Sequence, residues 1–248
     1  MRRAPDGPHH STGAGVGPRR GKQRLRLLIT AGPTREPIDA VRFISNYSTG
    51  YLGSRLAAEA IRRGHRVTVL SGPVSEALPS NVKRVDIETA AELEHAARRH
   101  APSADAIIMA AAVADFRPTR RILRKLRRRH ALALQLRPTP DIIGRLPRRP
   151  GQLRVGFAVE SGRVLARATD KLRAKRLDLL VAQQLAGGGS TGSPFGRVDV
   201  QGWLLERPPR ADGRPHVTPL GRIGKPQLAR ALLDKIEALC YGQPGQIA

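Results

Sequence analysis

Apolar positions along the chain change period in a regular way. Residues 25–30 form a short, nearly continuous apolar run, which predicts a strand covered on both faces. Residues 51–63 then place Leu52, Leu56, Ala60 and Ile61 on one side at helical spacing, and Gly64 supplies a stop. Residues 66–70 and 82–86 predict a second and a third strand. Thr89 and Glu92 have the spacing of a capping box and open a helix running to about Arg99. Further strands are predicted at 105–110, 154–159 and 177–182, with helices at 141–146 and 164–175 around them. Residues 198–206 predict a last strand, antiparallel to the others, 208–215 a loop, and 225–239 a closing helix.

Two stretches break the alternation. The connection from 31 to 53 is far longer than an ordinary strand-to-helix turn. Residues 116–137 alternate apolar and basic positions in two arms, 122–128 and 131–137, around Arg129 and His130, which predicts a hairpin flap. Eight of the thirteen residues from Arg117 to Arg129 are Lys or Arg, the composition of a mobile lid for a triphosphate or of a solvated basic face. A Gly/Ser-rich loop spans 187–193. Strands alternating with helices predict an α/β fold: a doubly wound, mostly parallel, Rossmann-like sheet with a basic flap hairpin. The organisation expected is a disordered basic tail over 1–24, one domain over 25–241 with the flap at about 116–137, and a C-terminal tail over 242–248.

Composition narrows the function. The chain of 248 residues has no apolar run long enough to span a membrane and no signal-peptide core, so a cytoplasmic protein without membrane contact is expected. Its one cysteine, Cys240, excludes an intrachain disulfide and a cysteine-cluster metal site. A net charge of +24 points to an anionic partner, nucleic acid or a phosphorylated small molecule. Aromatics make up only 3% of the chain, too few for base-stacking platforms, so no specific nucleic-acid partner is expected.

In doubly wound sheets ligands bind where strands end, so four segments are candidates: 31–53, 111–118, 160–162 and 183–196. In the first, Ser48, Thr49, Gly50 and Gly53 stand at a helix entrance, where N–H groups and the helix dipole favour an anion. After the second strand, Ser71-Gly72 offers no acidic residue for an adenosine ribose, which counts against a nicotinamide-dependent oxidoreductase. In the second, small residues end a strand before Asp115, an acceptor for an amine or hydroxyl. Lys171 and Lys175 lie one turn apart on one helix face, an arrangement that repels unless an anion sits between them.

Together these blocks resemble the phosphopantothenate–cysteine ligases of coenzyme A biosynthesis, over essentially 25–239. The most specific block is 29–53, with Thr30-Ala31-Gly32-Pro33-Thr34, Glu36, Ile38-Asp39, Val41-Arg42 and Ile44-Ser45-Asn46 in the family's order. Ala111-Ala112-Val113-Ala114-Asp115-Phe116, Lys125-Leu126-Arg127-Arg128, Thr139-Pro140-Asp141-Ile142-Ile143 and Val155-Gly156-Phe157 resemble further blocks. The resemblance implies that 4′-phosphopantothenate is activated by CTP, or by ATP, with Mg2+, and that the acyl-nucleotide is then attacked by cysteine. It is to the bacterial members, which implies CTP.

By the same resemblance, Asn46 would hold the acyl-nucleotide, with Arg42 its partner or that of a loop carboxylate, and Lys125 would be the flap lysine of turnover. Ser48, Gly50, Gly53, Ala111, Asp115, Pro140, Asp141, Ile142, Ile143, Phe157, Lys171 and Lys175 would contact nucleotide. Ala111, Ala112 and Asp115 would also contact pantothenate, with no metal ligand among these residues. A homodimer is implied, and a separate decarboxylase, since no flavin-binding segment precedes residue 25. The chain departs from the family at Ala182-Gln183-Gln184, where Ala-Asn-Asp is common.

Overall fold

The computed structural model describes residues 24–128, 131–184, 195–208 and 213–242. The chain runs β1 (Arg26–Ala31), β2 (Arg35–Pro37), β3 (Phe43–Ser45), α1 (Tyr51–Arg62), β4 (Arg66–Ser71), β5 (Lys83–Asp86) and α2 (Ala90–His100). It continues through β6 (Ala106–Met109), β7 (Phe116–Pro118), β8 (Leu136–Pro138), α3 (Ile142–Arg145), β9 (Leu153–Glu160) and α4 (Val164–Ala174). It ends with β10 (Leu179–Gln184), β11 (Val200–Glu206), β12 (His216–Ile223) and α5 (Lys225–Tyr241).

Eight strands form one sheet in the order β12-β11-β10-β9-β6-β1-β4-β5. From β5 to β10 the neighbours are parallel, and β11 and β12 are antiparallel. The order reverses between β1 and β6. The connections after β1 and β6 therefore leave in different directions and open a crevice at the strand ends.

Both faces of the sheet are covered, which is why its strands lack polar alternation. Leu27, Ile29, Val69, Val155, Leu179 and Val181 pack with α1 and α5. Leu28, Leu70, Ile107, Leu180 and Ala182 pack with α2, α3 and α4. Polar contacts add to the packing of α1 and the residues after it on α5: His65 Nε2 hydrogen-bonds to Glu237 at 2.9 Å, and Arg63 forms an ion pair with Asp234 at 2.7 Å. The capping box of α2 is present: Thr89 accepts from Glu92 N, while Glu92 accepts from the backbone N–H of Glu88.

Three expectations are corrected. The 31–53 connection contains a small hairpin, β2 with β3, where only a loop was expected. The flap is paired only at its base, β7 with β8: the arm at 122–128 is not a strand, and the arm at 131–137 is one only at Leu136 and Arg137. The first arm turns to the 31–53 loop instead, with Ile122 N–H donating to Ile38 O at 3.1 Å. An unexpected edge strand, β12, lies beyond β11; its residues are largely exposed and include Pro219 and Gly221, so no apolar run marks it. The expected basic tail, the 187–193 loop, the flap tip at 129–130 and residues 243–248 lie outside the described residues.

Candidate functional site

A cavity of about 430 Å³ opens over the strand ends at the reversal of strand order. That volume suits a nucleotide-sized ligand. Its floor comes from 109–113 after β6. The segment is held by the first loop: Thr30 Oγ1 accepts from Ala111 N at 2.9 Å, Ala112 N donates to Gly32 O at 2.9 Å, and Thr34 Oγ1 accepts from Ala114 N at 3.0 Å. Short hydroxyl side chains at 30 and 34 thus fasten two loops that the sheet alone would leave apart.

Ser48 to Gly53 form one wall. Gly50, the N-cap of α1, has φ +82, a conformation that glycine adopts without a Cβ clash. A Cβ at Gly53 would stand 2.4 Å from that of Ala31, so only glycine lets α1 lie this close to β1. Asn46 lines the cavity and donates from Nδ2 to Val113 O at 3.0 Å, which leaves its carbonyl oxygen and second N–H for a ligand.

The opposite wall is Thr139 to Ile143. Thr139 donates to Ala114 O at 2.6 Å, and Asp141 caps α3. Behind this wall lies Arg154, 3% exposed, which donates to the carbonyls of Ile143 at 3.1 Å and Leu146 at 2.8 Å. Burial holds its pKa below the ordinary arginine value. The guanidinium satisfies the end of α3 and fixes the loop that α3 carries. Lys175 lies 3.0 Å from Asp141. The Lys171 pKa is lowered, first by burial and then by Lys175. The repulsion expected between these lysines is therefore present, and one of them has found a carboxylate.

Asn46, Ser48, Gly50, Gly53, Ala111, Ala112, Asp115, Pro140, Asp141, Ile142, Ile143, Phe157, Lys171 and Lys175 all line this cavity. Arg42 and Lys125 do not. Arg42 grips buried Asp39, with its Nε 3.0 Å from Asp39 Oδ2, and donates to Leu126 O at 3.2 Å. Asp39 also accepts from Leu126 N at 3.0 Å. Of the two roles considered for Arg42, the geometry fits the partner of a loop carboxylate. The Arg42 side chain, and then the Leu126 N–H, hold the Asp39 pKa well below the carboxylate range. Lys125 is exposed on the flap beside this anchor. The 160–162 segment does not reach the cavity, although Val159 does.

Gln183, Thr139 and Lys225 are cavity residues that were not assigned a role from the sequence. Lys225 carried a readable signal. It falls on the apolar stripe of α5 with Leu228, Leu232 and Ile236, where a lysine is out of place.

Residues 22–239 match the family described as DNA/pantothenate metabolism flavoprotein C-terminal domain. Among curated proteins, the chain is 41% identical over 180 residues to a cysteine/cysteine sulfinic acid decarboxylase of an unknown prokaryotic organism, covering 71% of this chain and 50% of that protein. It is 41% identical over 172 residues to the coenzyme A biosynthesis bifunctional protein CoaBC of Escherichia coli K12, covering 66% of this chain and 42% of that protein. The chain thus spans half or less of the length of these relatives. Among solved structures, the C-terminal domain of a CoaBC protein superposes with a TM-score of 0.68 at 33% identity, covering 89% of this chain and 98% of that one. A Cab2 mutant in complex with phosphopantothenate-cysteine has the same fold, with a TM-score of 0.65 at 17% identity and 88% of each chain covered.

Proposed function

The chain belongs to the DNA/pantothenate metabolism flavoprotein C-terminal domain family, and from that premise we propose that it is a phosphopantothenate–cysteine ligase. One observation carries the reading: a single cavity gathers Asn46, the α1 entrance, the 111–115 strand end, the 139–143 loop and the Lys171–Lys175 pair. Asn46 and the α1 entrance share the 29–53 block of the sequence resemblance, and the other three come from distant parts of the chain.

In the proposed reaction a carboxylate oxygen of 4′-phosphopantothenate attacks the α-phosphorus of CTP, and pyrophosphate leaves with the bonding electrons. The cysteine amine then attacks the acyl carbon, loses a proton, and the nucleoside monophosphate departs. A carboxylate is a poor electrophile, and the nucleotidyl group supplies its leaving group. The α1 entrance, at the positive end of the helix dipole, suits the phosphates. The Asn46 amide suits the oxyanion of the acyl-nucleotide. Ala111 and Ala112 let a flat or extended ligand approach the backbone.

Two carboxylates, Asp115 and Asp141, line the cavity, and Asp141 is already paired with Lys175. The described residues hold no cluster of three or more His, Cys, Asp or Glu. That donor set fits Mg2+ held chiefly by triphosphate oxygens and water, with Asp115 as the available protein carboxylate. Mg2+ there would neutralise phosphate charge. Lys125 would act only after the flap moves, since it now lies away from the cavity.

We also propose a homodimer. Val41 and Phe43 of the β2–β3 hairpin and Tyr47 just after it, with Phe116 and Leu123 on the flap, are exposed apolar side chains on neighbouring segments. The separate decarboxylase and a cytoplasmic location belong to the same reading; no helix among the described residues is long and apolar enough to cross a membrane.

Pyrophosphate release tests the reaction, with 4′-phosphopantothenate, cysteine and Mg2+ present and CTP and ATP in parallel. Release that requires phosphopantothenate is expected, faster with CTP. A folded sample that releases none with either nucleotide would overturn the ligase reading.

A further inference from the structure

Lys225 opens α5 and is 3% exposed, yet it lines the cavity. Its Nζ donates to Gln183 Oε1 at 2.7 Å. Gln183 is itself 3% exposed and lines the same cavity. An ammonium has three donors, and a neutral amide oxygen supplies one acceptor and no charge. No carboxylate pairs with Lys225 among the described residues, and burial alone pushes its pKa down to about 8. Near that value the ammonium is still the main form at neutral pH. Buried lysines are ordinarily paired, because desolvating a lone charge is costly. Here the counter-charge is missing and the group borders a cavity.

The position of this cation separates it from the other two. Along β10 the side chains alternate: Leu179 and Val181 face α1 and α5, while Leu180 and Ala182 face α4. Gln183 continues the first parity and meets Lys225 there. Lys171 and Lys175 come from α4, on the other face of the sheet. The cavity thus has a cationic pole on each side of the strand ends. The α4 pole has an internal carboxylate, Asp141, whereas the α5 pole has none.

We propose that Lys225, oriented by Gln183, is a second phosphate subsite, holding a phosphoryl group of a bound ligand apart from the Lys171–Lys175 pair. This rests on the ligase reading for the choice of ligands, since both the nucleotide and phosphopantothenate carry phosphoryl oxygens.

Two variants of the whole chain test it. Lys225→Met keeps the length and the apolar stripe of α5 but removes the charge. Gln183→Glu keeps the size and gives Lys225 an internal carboxylate, so it carries the test if Lys225→Met fails to fold. Each is titrated calorimetrically with inorganic pyrophosphate, CTP, 4′-phosphopantothenate and unphosphorylated pantothenate. Both variants are expected to bind at least one phosphorylated probe tenfold or more weakly, with pantothenate unchanged and the thermal midpoint of Lys225→Met no lower than wild type. A loss confined to pyrophosphate and CTP assigns the subsite to the nucleotide, and a loss confined to phosphopantothenate assigns it to that substrate.

Wild-type affinity of both variants for every phosphorylated probe overturns the proposal and leaves the ligase reading intact. Wild-type protein that binds none of these probes overturns it too. A charge-dependent loss in a protein without ligase turnover sustains the subsite and removes the ligase reading.

Discussion

At Gly53 a single methyl group decides whether α1 can rest on β1. The 2.4 Å separation that a Cβ would have from Ala31 is far inside van der Waals contact, and both backbones are fixed by the sheet and the helix. Gly53→Ala is therefore expected to cost about 1–3 kcal/mol, the range for overpacking, seen as a lower thermal midpoint. Asn46 is the contrasting case. It is exposed, and its side chain is tied to the fold through Val113 O. Asn46→Asp is expected to keep the fold and nucleotide binding but lose product formation, because a carboxylate repels the oxyanion that the amide would stabilise. Wild-type turnover in that variant would remove the role given to Asn46. Both residues stood in a recognisable block of sequence. Lys225 did not, because a lysine at the start of a helix looks like an ordinary solvated end until its place on the apolar stripe is counted.

Strands buried on both faces were legible as apolar runs, and the amphipathic helices by their spacing. β1, β4, β6, β9 and β10 matched their apolar runs to within two residues at either end, because burial from both sides leaves little room for polar residues. β12 escaped because an edge strand with one exposed flank has no such constraint. The flap misled for a different reason. Its alternation of Ile122 and Leu126 with basic residues imitates a strand, but this first arm finds its partner in the 31–53 loop, a long-range choice that local pattern does not encode. That docking depends on ionised Asp39. Its pKa is lower in the folded protein than in the unfolded chain, so its contribution is present above the unfolded value of about 4 and is lost as pH falls further. Hydrogen exchange at the Leu126 N–H is expected to stay slow at pH 5 and to quicken roughly tenfold or more in Asp39→Ala. Equal protection in the two proteins would show that the flap is held elsewhere.

For the whole molecule, the sheet order explains why blocks scattered from 46 to 225 meet in one place. The reversal between β1 and β6 spreads successive loops around one crevice. That convergence was foreseeable from alternating strands and helices, whereas the two-sided placement of its cations was not, since it depends on which face each helix covers. The exposed apolar cluster of loop and flap belongs to this scale too, with Tyr47 89% exposed. Light scattering is expected to give twice the 26.9 kDa chain mass, and Tyr47→Asp with Leu123→Asp should return the monomer. A monomer in the parent protein at working concentration would count against the dimer.

The flap's anchor on Asp39 and Arg42 runs through the main chain of Leu126, its N–H to one and its C=O to the other. Main-chain groups are common to nearly all amino acids, so this anchor places little demand on which side chains the flap carries. Selection is then free to exchange one basic residue for another along it. Proline is the exception, for it has no N–H to give. A saturation library across 120–128 should tolerate most replacements at Leu126 and reject proline there.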